Sequence, residues 1–309
     1  ITDGDAGTPA STSSNTTTAG AVRVDENGTA SITSVALDTY ASADLGDTGA
    51  DLDALTSLSL ANSRGAANVA TAATDLDVSV DNVSDAVSLD LTAATVTTLD
   101  LTASGSASTF GLTAAAATAL NVTADADLDI STGSTLSALA TVTVSGAGDV
   151  ALGDISGSAT SVDAADAEGD ISVEVAGDSA SVTTGSGDDS VTVNTAGISE
   201  AIDLGAGNDT LTLEDAAAVV PTAEVAGGDD IDTVAMNAGR AEVLDDNTDF
   251  AEAISGFERL TISDQVDVDG DVTIDVEALG FDYVTTSGTT DSDSSTDGAA
   301  GVLTLDKMA

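Results

Sequence analysis

The 309 residues include no cysteine, no histidine and no tryptophan, and only five lysines or arginines stand against 54 aspartates and glutamates. Without cysteine there is no disulfide and no thiolate chemistry. Without histidine there is no imidazole general base, and most zinc and iron sites lose their ligands. What remains for metal ligation is oxygen, which suits hard cations. A net charge of −49 makes nucleic acid and anionic membrane poor partners, and the chain repels itself unless salt or bound cations screen it. No apolar run approaches the roughly 18 residues that span a bilayer, and no basic-plus-apolar leader follows Ile1. The chain is therefore expected to be soluble, without membrane insertion, and a processed piece of a longer protein. Paired carboxylates could in principle cleave glycosidic bonds, but aromatics are 2% of the chain and cations are scarce. Little is left to hold a sugar or stabilise an anion, so no enzyme activity is expected.

What is present is order. Apolar residues make up 42% of the chain and recur along it. One track runs Val78, Leu99, Leu120, Val142, Val162, Val182, Ile202 and Val225, with steps of 21, 21, 22, 20, 20, 20 and 23. A second lies about ten residues later: Leu91, Leu112, Ile130, Leu152, Val173, Val193, Leu213 and Met236, with steps of 21, 18, 22, 21, 20, 20 and 23. Around each station the pattern alternates, as in Leu99-Asp-Leu-Thr102 and Leu211-Thr-Leu-Glu214, which is the period of a half-buried strand. Gly, Ser, Ala, Asp and Thr clusters between the stations suit tight turns.

Two short strands per repeat of about 20–21 residues predict an all-β fold, a parallel β-solenoid (β-helix) with a thin core that has little room for aromatic rings. An antiparallel sandwich with a coincidental period is the competing fold. The expected organisation is a linker or irregular N-terminal edge over residues 1–50, the solenoid over 51–240, and a short helix plus β segment over 241–309, truncated at its end. In that last, irregular segment Asp249 and Glu252 are expected to cap a helix whose Phe250, Ile254 and Phe257 share one face and cover the solenoid's open end. The Thr, Ser and Asp run at 285–297 reads as a flexible loop.

Three consecutive repeats carry a common turn: Gly185-Ser-Gly187-Asp188-Asp189, Gly205-Ala-Gly207-Asn208-Asp209 and Gly227-Gly228-Asp229-Asp230-Ile231-Asp232. Glycine lets the backbone turn sharply so that carbonyl oxygens share one direction, the aspartate adds a carboxylate, and an apolar residue returns the chain to the core. Val182 to Asp189, Ile202 to Asp209 and Val225 to Asp232 are each seven residues, so the loops are expected to stack on one edge. Calcium takes six to eight oxygens, more than one loop supplies, so a site would form between two loops and three loops would make two sites. Gly146-Ala-Gly148-Asp149 and Gly169-Asp170 are weaker echoes that read as plain turns. Asp267-Val-Asp269-Gly270-Asp271 has part of an EF-hand pattern but reads as a loop between strands. The aspartates on outward strand positions, such as Asp77, Asp90 and Asp100, read equally as a hydrated face or as carriers of bridging divalent ions.

Over about 50 residues these turns resemble the nonapeptide repeat of the repeats-in-toxin (RTX) family of calcium-binding bacterial surface proteins. The resemblance implies Ca2+ held by Asp189, Asp209 and Asp232 with carbonyls of Gly185, Gly187, Gly205, Gly207 and Gly227, assisted by Asp188, Asn208 and Asp230. The chain departs from the family where Thr184 and Leu204 replace the first glycine and Asp230 the third. In composition the chain is similar to S-layer proteins exported by type I secretion, and Ile254-Ser-Gly-Phe257-Glu-Arg-Leu260-Thr-Ile262 resembles the linkers between strand repeats of that group. What the resemblance implies is a structural, extracellular protein of the bacterial cell surface. It would fold and assemble with calcium outside the cell and self-associate into a lattice or filament, with cell-surface polysaccharide as a partner through a region outside this chain. An adhesin stalk and the export module of a secreted hydrolase are the alternatives.

Overall fold

The computed structural model describes residues 20–24, 31–46, 52–84, 88–91, 95–195, 197–214, 218–263, 272–287 and 303–306. The chain divides into two compact units, Ile1–Ala159 and Thr160–Ala309. Each is built from parallel strands stacked turn upon turn, so the fold is the expected β-solenoid.

In the first unit, strands Ser34–Asp38, Ser57–Ala61, Asp75–Asp81, Thr98–Ala103, Ala119–Ala124 and Thr141–Gly146 pair in that order, all parallel. Between them the chain visits a second sheet, Gly20–Val24, Tyr40–Leu45, Ala67–Val69, Ser88–Leu91 and Gly111–Thr113. Later turns use a third, Ser108–Thr109, Leu128–Asp129 and Val150–Asp154. Inward positions form aliphatic columns: Leu76, Leu99, Leu120 and Val142 stack in register and are at most 1% exposed. Burying each such side chain is worth about 1.5–3 kcal/mol. Outward positions are mostly Ser, Thr, Asp and Asn, because one face of each sheet meets water, and this is why parallel strands here alternate instead of reading as unbroken apolar runs. Corners in this unit use left-handed backbone at Thr39, Asn62 and Asn82. Asn82 Nδ2 donates to Asn62 Oδ1 and Asn62 Nδ2 to Asp38 Oδ1, each at 2.9 Å, so one corner is tied to the next.

In the second unit, Ser161–Ala167, Ser181–Thr183, Ile202–Asp203, Val225–Ala226 and Ile254–Ser255 pair in parallel. The facing ladder is Ile171–Val175, Ser190–Val193, Thr210–Leu213, Thr233–Met236, Arg259–Ile262 and Tyr283–Thr286. Helices α1 (Ala238–Asp245) and α2 (Thr248–Ala253) are inserted within one turn, and α3 (Val276–Leu279) follows the strand Val272–Asp275, which pairs with Leu303–Asp306.

Several expectations are corrected. Regular solenoid pairing is already present at Ser34–Asp38, before residue 51, and continues after 240 through Arg259–Ile262 and Tyr283–Thr286. The period fails near 240 because two helices are spliced into the turn between Met236 and Ile254. Helix α2 is capped by Asn247, which accepts from Asp249 N at 3.0 Å, so Asp249 lies inside the helix. Ile254 opens the next strand and does not lie on the helix face. The tracks slip by two residues in places: Leu99 pairs with Leu76 and not Val78, and Val173 with Val191 and not Val193. The short step of 18 from Leu112 to Ile130 joins two different sheets. The EF-hand-like stretch and most of the 285–297 run lie outside the described residues.

Candidate metal centre

The three glycine turns stack on one edge of the second unit. A Cβ on Gly205 would lie 2.2 Å from Gly185 O, one on Gly207 2.1 Å from Gly187 O, and one on Gly228 1.9 Å from Gly205 O. Successive backbones approach too closely for any side chain. Gly205, Gly207 and Gly228 also hold φ of +90°, +129° and +118°, which glycine adopts at no steric cost. The stack pairs Gly228, and not Gly227, with Gly205, and Ala206 bridges to Asp229. Asp230 therefore falls at the place of Gly207 and takes a left-handed φ of +81°. Ile231, 43% exposed, stands where the earlier turns carry Asp188 and Asn208.

Immediately after each turn the chain places one residue toward the interior. In the first unit that inward residue is Leu128 and then Val150, and at the start of the second it is Ile171, all buried. In the next three turns it is Asp189, Asp209 and Asp232, none more than 1% exposed. Three successive carboxylates thus occupy the inward position that Ile171 fills in the turn before them. One oxygen of each is used: Asp189 Oδ1 accepts from Ile171 N at 2.7 Å, Asp209 Oδ1 from Asp189 N at 2.7 Å, and Asp232 Oδ1 from Asp209 N at 2.8 Å. The second oxygen of each, Oδ2, is buried without a close hydrogen-bond partner, although the Thr184 hydroxyl and Gly185 N lie near Asp189 and partly offset the effect of its burial. A buried acceptor left alone costs about 1–3 kcal/mol, and more when charged. Burial pushes all three acids up, Asp209 to about 7 and Asp232 to about 6, and the neighbouring carboxylates add to the shift.

A second, exposed row runs beside the first. Asp188 N donates to Asp170 Oδ1 at 2.7 Å, and Asp188 Oδ1 accepts from Asn208 N at 2.8 Å and Asn208 Nδ2 at 3.2 Å. Those donors hold Asp188 below the usual carboxylate range.

The structure thus brings Asp189, Asp209 and Asp232 into one column and stacks Gly185 on Gly205 and Gly187 on Gly207. It sets Asp188 and Asn208 in the outer row and places Gly227 one step ahead of the glycine stack. Sequence reasoning missed Glu258, whose Oε2 accepts from Asp232 N at 3.0 Å and so continues the inner ladder. The register Thr233↔Arg259 puts it beside Asp232, but Ser255-Gly-Phe-Glu258 lacks the paired glycines that mark the other turns. The two weaker echoes lack the buried acid, since Val150 and Ile171 follow their aspartates. Outward Asp100 instead accepts from Asn121 Nδ2 at 2.6 Å on the sheet surface.

The residues fit a hard cation in kind. The donors are all oxygens, and the buried Oδ2 atoms of Asp209 and Asp232 have no hydrogen-bond partner. Among the described residues no three acidic side chains converge on one point. An ion on this edge would therefore be shared between two turns, with a carboxylate from each and backbone carbonyls completing the shell. Comparison of the chain with family models, with curated proteins and with solved structures finds no match. Fold and site together define a parallel β-solenoid with a stacked row of buried carboxylates behind glycine turns.

Proposed function

We propose that this chain is a structural, extracellular protein of the bacterial cell surface, similar to RTX-type S-layer proteins, whose solenoid is ordered by calcium and which self-associates into a lattice. The observation that carries the reading is the column of three buried aspartates, each with one oxygen that has no close hydrogen-bond partner, in a chain with 54 acids and five cations. Bound calcium would supply the positive charge that these oxygens lack. Asp189, Asp209 and Asp232 would hold it through Oδ2 while Oδ1 keeps each turn tied to the one before. The glycines keep neighbouring backbones close enough for carbonyls from two turns to share one ion. Where calcium is scarce the ionised column opposes folding, and where it is millimolar the folded turns are favoured by mass action.

The test is thermal unfolding followed by circular dichroism in calcium, in magnesium and in chelator. Calcium at 100 times its dissociation constant should add about 2.7 kcal/mol per site, a rise in the melting midpoint that magnesium does not reproduce. Superimposable curves in all three solutions would sink the proposal. Sedimentation and electron microscopy with calcium should then show ordered assemblies that disperse in chelator.

A further inference from the structure

We propose one more calcium position on this edge, between the Asp232 carboxylate and the loop Ser255–Glu258, with Glu258 supplying the second carboxylate. It rests on the reading that inter-turn positions here take calcium, and it extends the row past the last glycine-aspartate turn to a loop without that motif.

Two independent features point to it. The first is the ladder. Glu258 Oε2 accepts from Asp232 N at 3.0 Å, just as Asp232 Oδ1 accepts from Asp209 N at 2.8 Å and Asp209 Oδ1 from Asp189 N at 2.7 Å. Glu258 therefore holds the place of the inner aspartate in the fourth turn, with one methylene more of reach. The second is the unpartnered Oδ2 of fully buried Asp232, whose location Gly227 reports. A Cβ built on Gly227 would lie 2.6 Å from Asp232 Oδ2 and 2.3 Å from Gly256 O. Both oxygens thus lie close against Gly227, whose missing side chain lets them approach each other.

Earlier turns fill the equivalent place. Thr184 and Leu204, both buried, stand where Gly227 stands, and Thr184 Oγ1 donates to Leu204 O at 2.5 Å. Gly227 removes the side chain where the partner turn offers a glycine carbonyl and a glutamate. Gly256 keeps the turn geometry of the other loops, with φ of +73° and a Cβ position 2.8 Å from Gly228 N. The protein ligands are then Asp232, Glu258 and Gly256 O, with water for the remainder of a shell of six to eight oxygens.

The experiment counts ions on the full chain by native mass spectrometry and calorimetric calcium titration, comparing wild type with Glu258→Gln and Asp209→Asn. Glu258→Gln keeps an acceptor for Asp232 N and removes the charge. It should fold in chelator as wild type does and bind one calcium fewer, whereas Asp209→Asn should lose ions from the preceding positions and keep the one at Glu258. If Glu258→Gln does not fold, Glu258→Asp, one methylene shorter, should weaken one class of ion and leave the others unchanged. Wild-type stoichiometry and affinities in the Glu258 variant would overturn this proposal and leave the broader one standing. A wild-type chain that takes up no calcium would overturn both.

Discussion

Asp209 has no exposed surface, spends one oxygen on Asp189 N, and leaves the other with nothing. Its pKa is raised to about 7 and that of Asp232 to about 6, both above the 3.8 of an unperturbed aspartate. The fold therefore favours the protonated acids. Their contribution to stability is complete below about pH 4 and is lost as pH rises through 6 and 7. In chelator the melting temperature should fall across that window. Asp209→Asn keeps the acceptor for Asp189 N and removes the buried charge, so in chelator at pH 8 it should be more stable than wild type. It should also flatten the pH dependence and lose much of the response to calcium. Melting curves from pH 4 to 8, with and without calcium, check all three outcomes. A variant less stable than wild type in chelator at pH 8 would mean that the second oxygen has a partner in solution.

At the scale of the element, much of the solenoid was legible, because a two-residue alternation inside a repeat of about 20 leaves few other folds. What the periodicity left ambiguous is register. Val78 and Leu76 both point inward, so a slip of two residues leaves the hydrophobic face unchanged, and only the paired backbones decide that Leu99 meets Leu76. The stacked aspartates were legible because each lies seven residues after a track position. The change of role at the inward position after the turn, from Ile171 to three aspartates, was not, since burial is invisible in the string Gly-Asp-Asp-Ser. The glycines of the turns allow a direct check. Gly205→Ala forces a Cβ to 2.2 Å from Gly185 O at a φ of +90°, and it should cost about 2 kcal/mol or more. Gly157 has open space around its Cβ position and no left-handed φ, so Gly157→Ala should be neutral or stabilising by up to about 1 kcal/mol. Denaturant midpoints of the two variants compare them directly.

For the whole molecule the strongest influence is a net charge of −49, and it acts on folding in two ways that calcium and ordinary salt separate. Diffuse repulsion among outward carboxylates such as Asp77, which is exposed on its strand, is screened by any electrolyte. The Debye length shrinks from about 10 Å at 0.1 M to about 3 Å at 1 M. The buried column is shielded from that atmosphere, and on the calcium proposal it would respond to an ion small enough to enter between turns. Sodium chloride should therefore raise the melting temperature gradually in wild type and to the same extent in an Asp189→Asn, Asp209→Asn, Asp232→Asn triple variant. Millimolar calcium, compared at matched ionic strength, should stabilise wild type well beyond sodium and the triple variant no more than sodium does. If the triple variant kept the full calcium response, the ions would be acting at the outward aspartates. The buried column would then need protons rather than metal to reach its folded state.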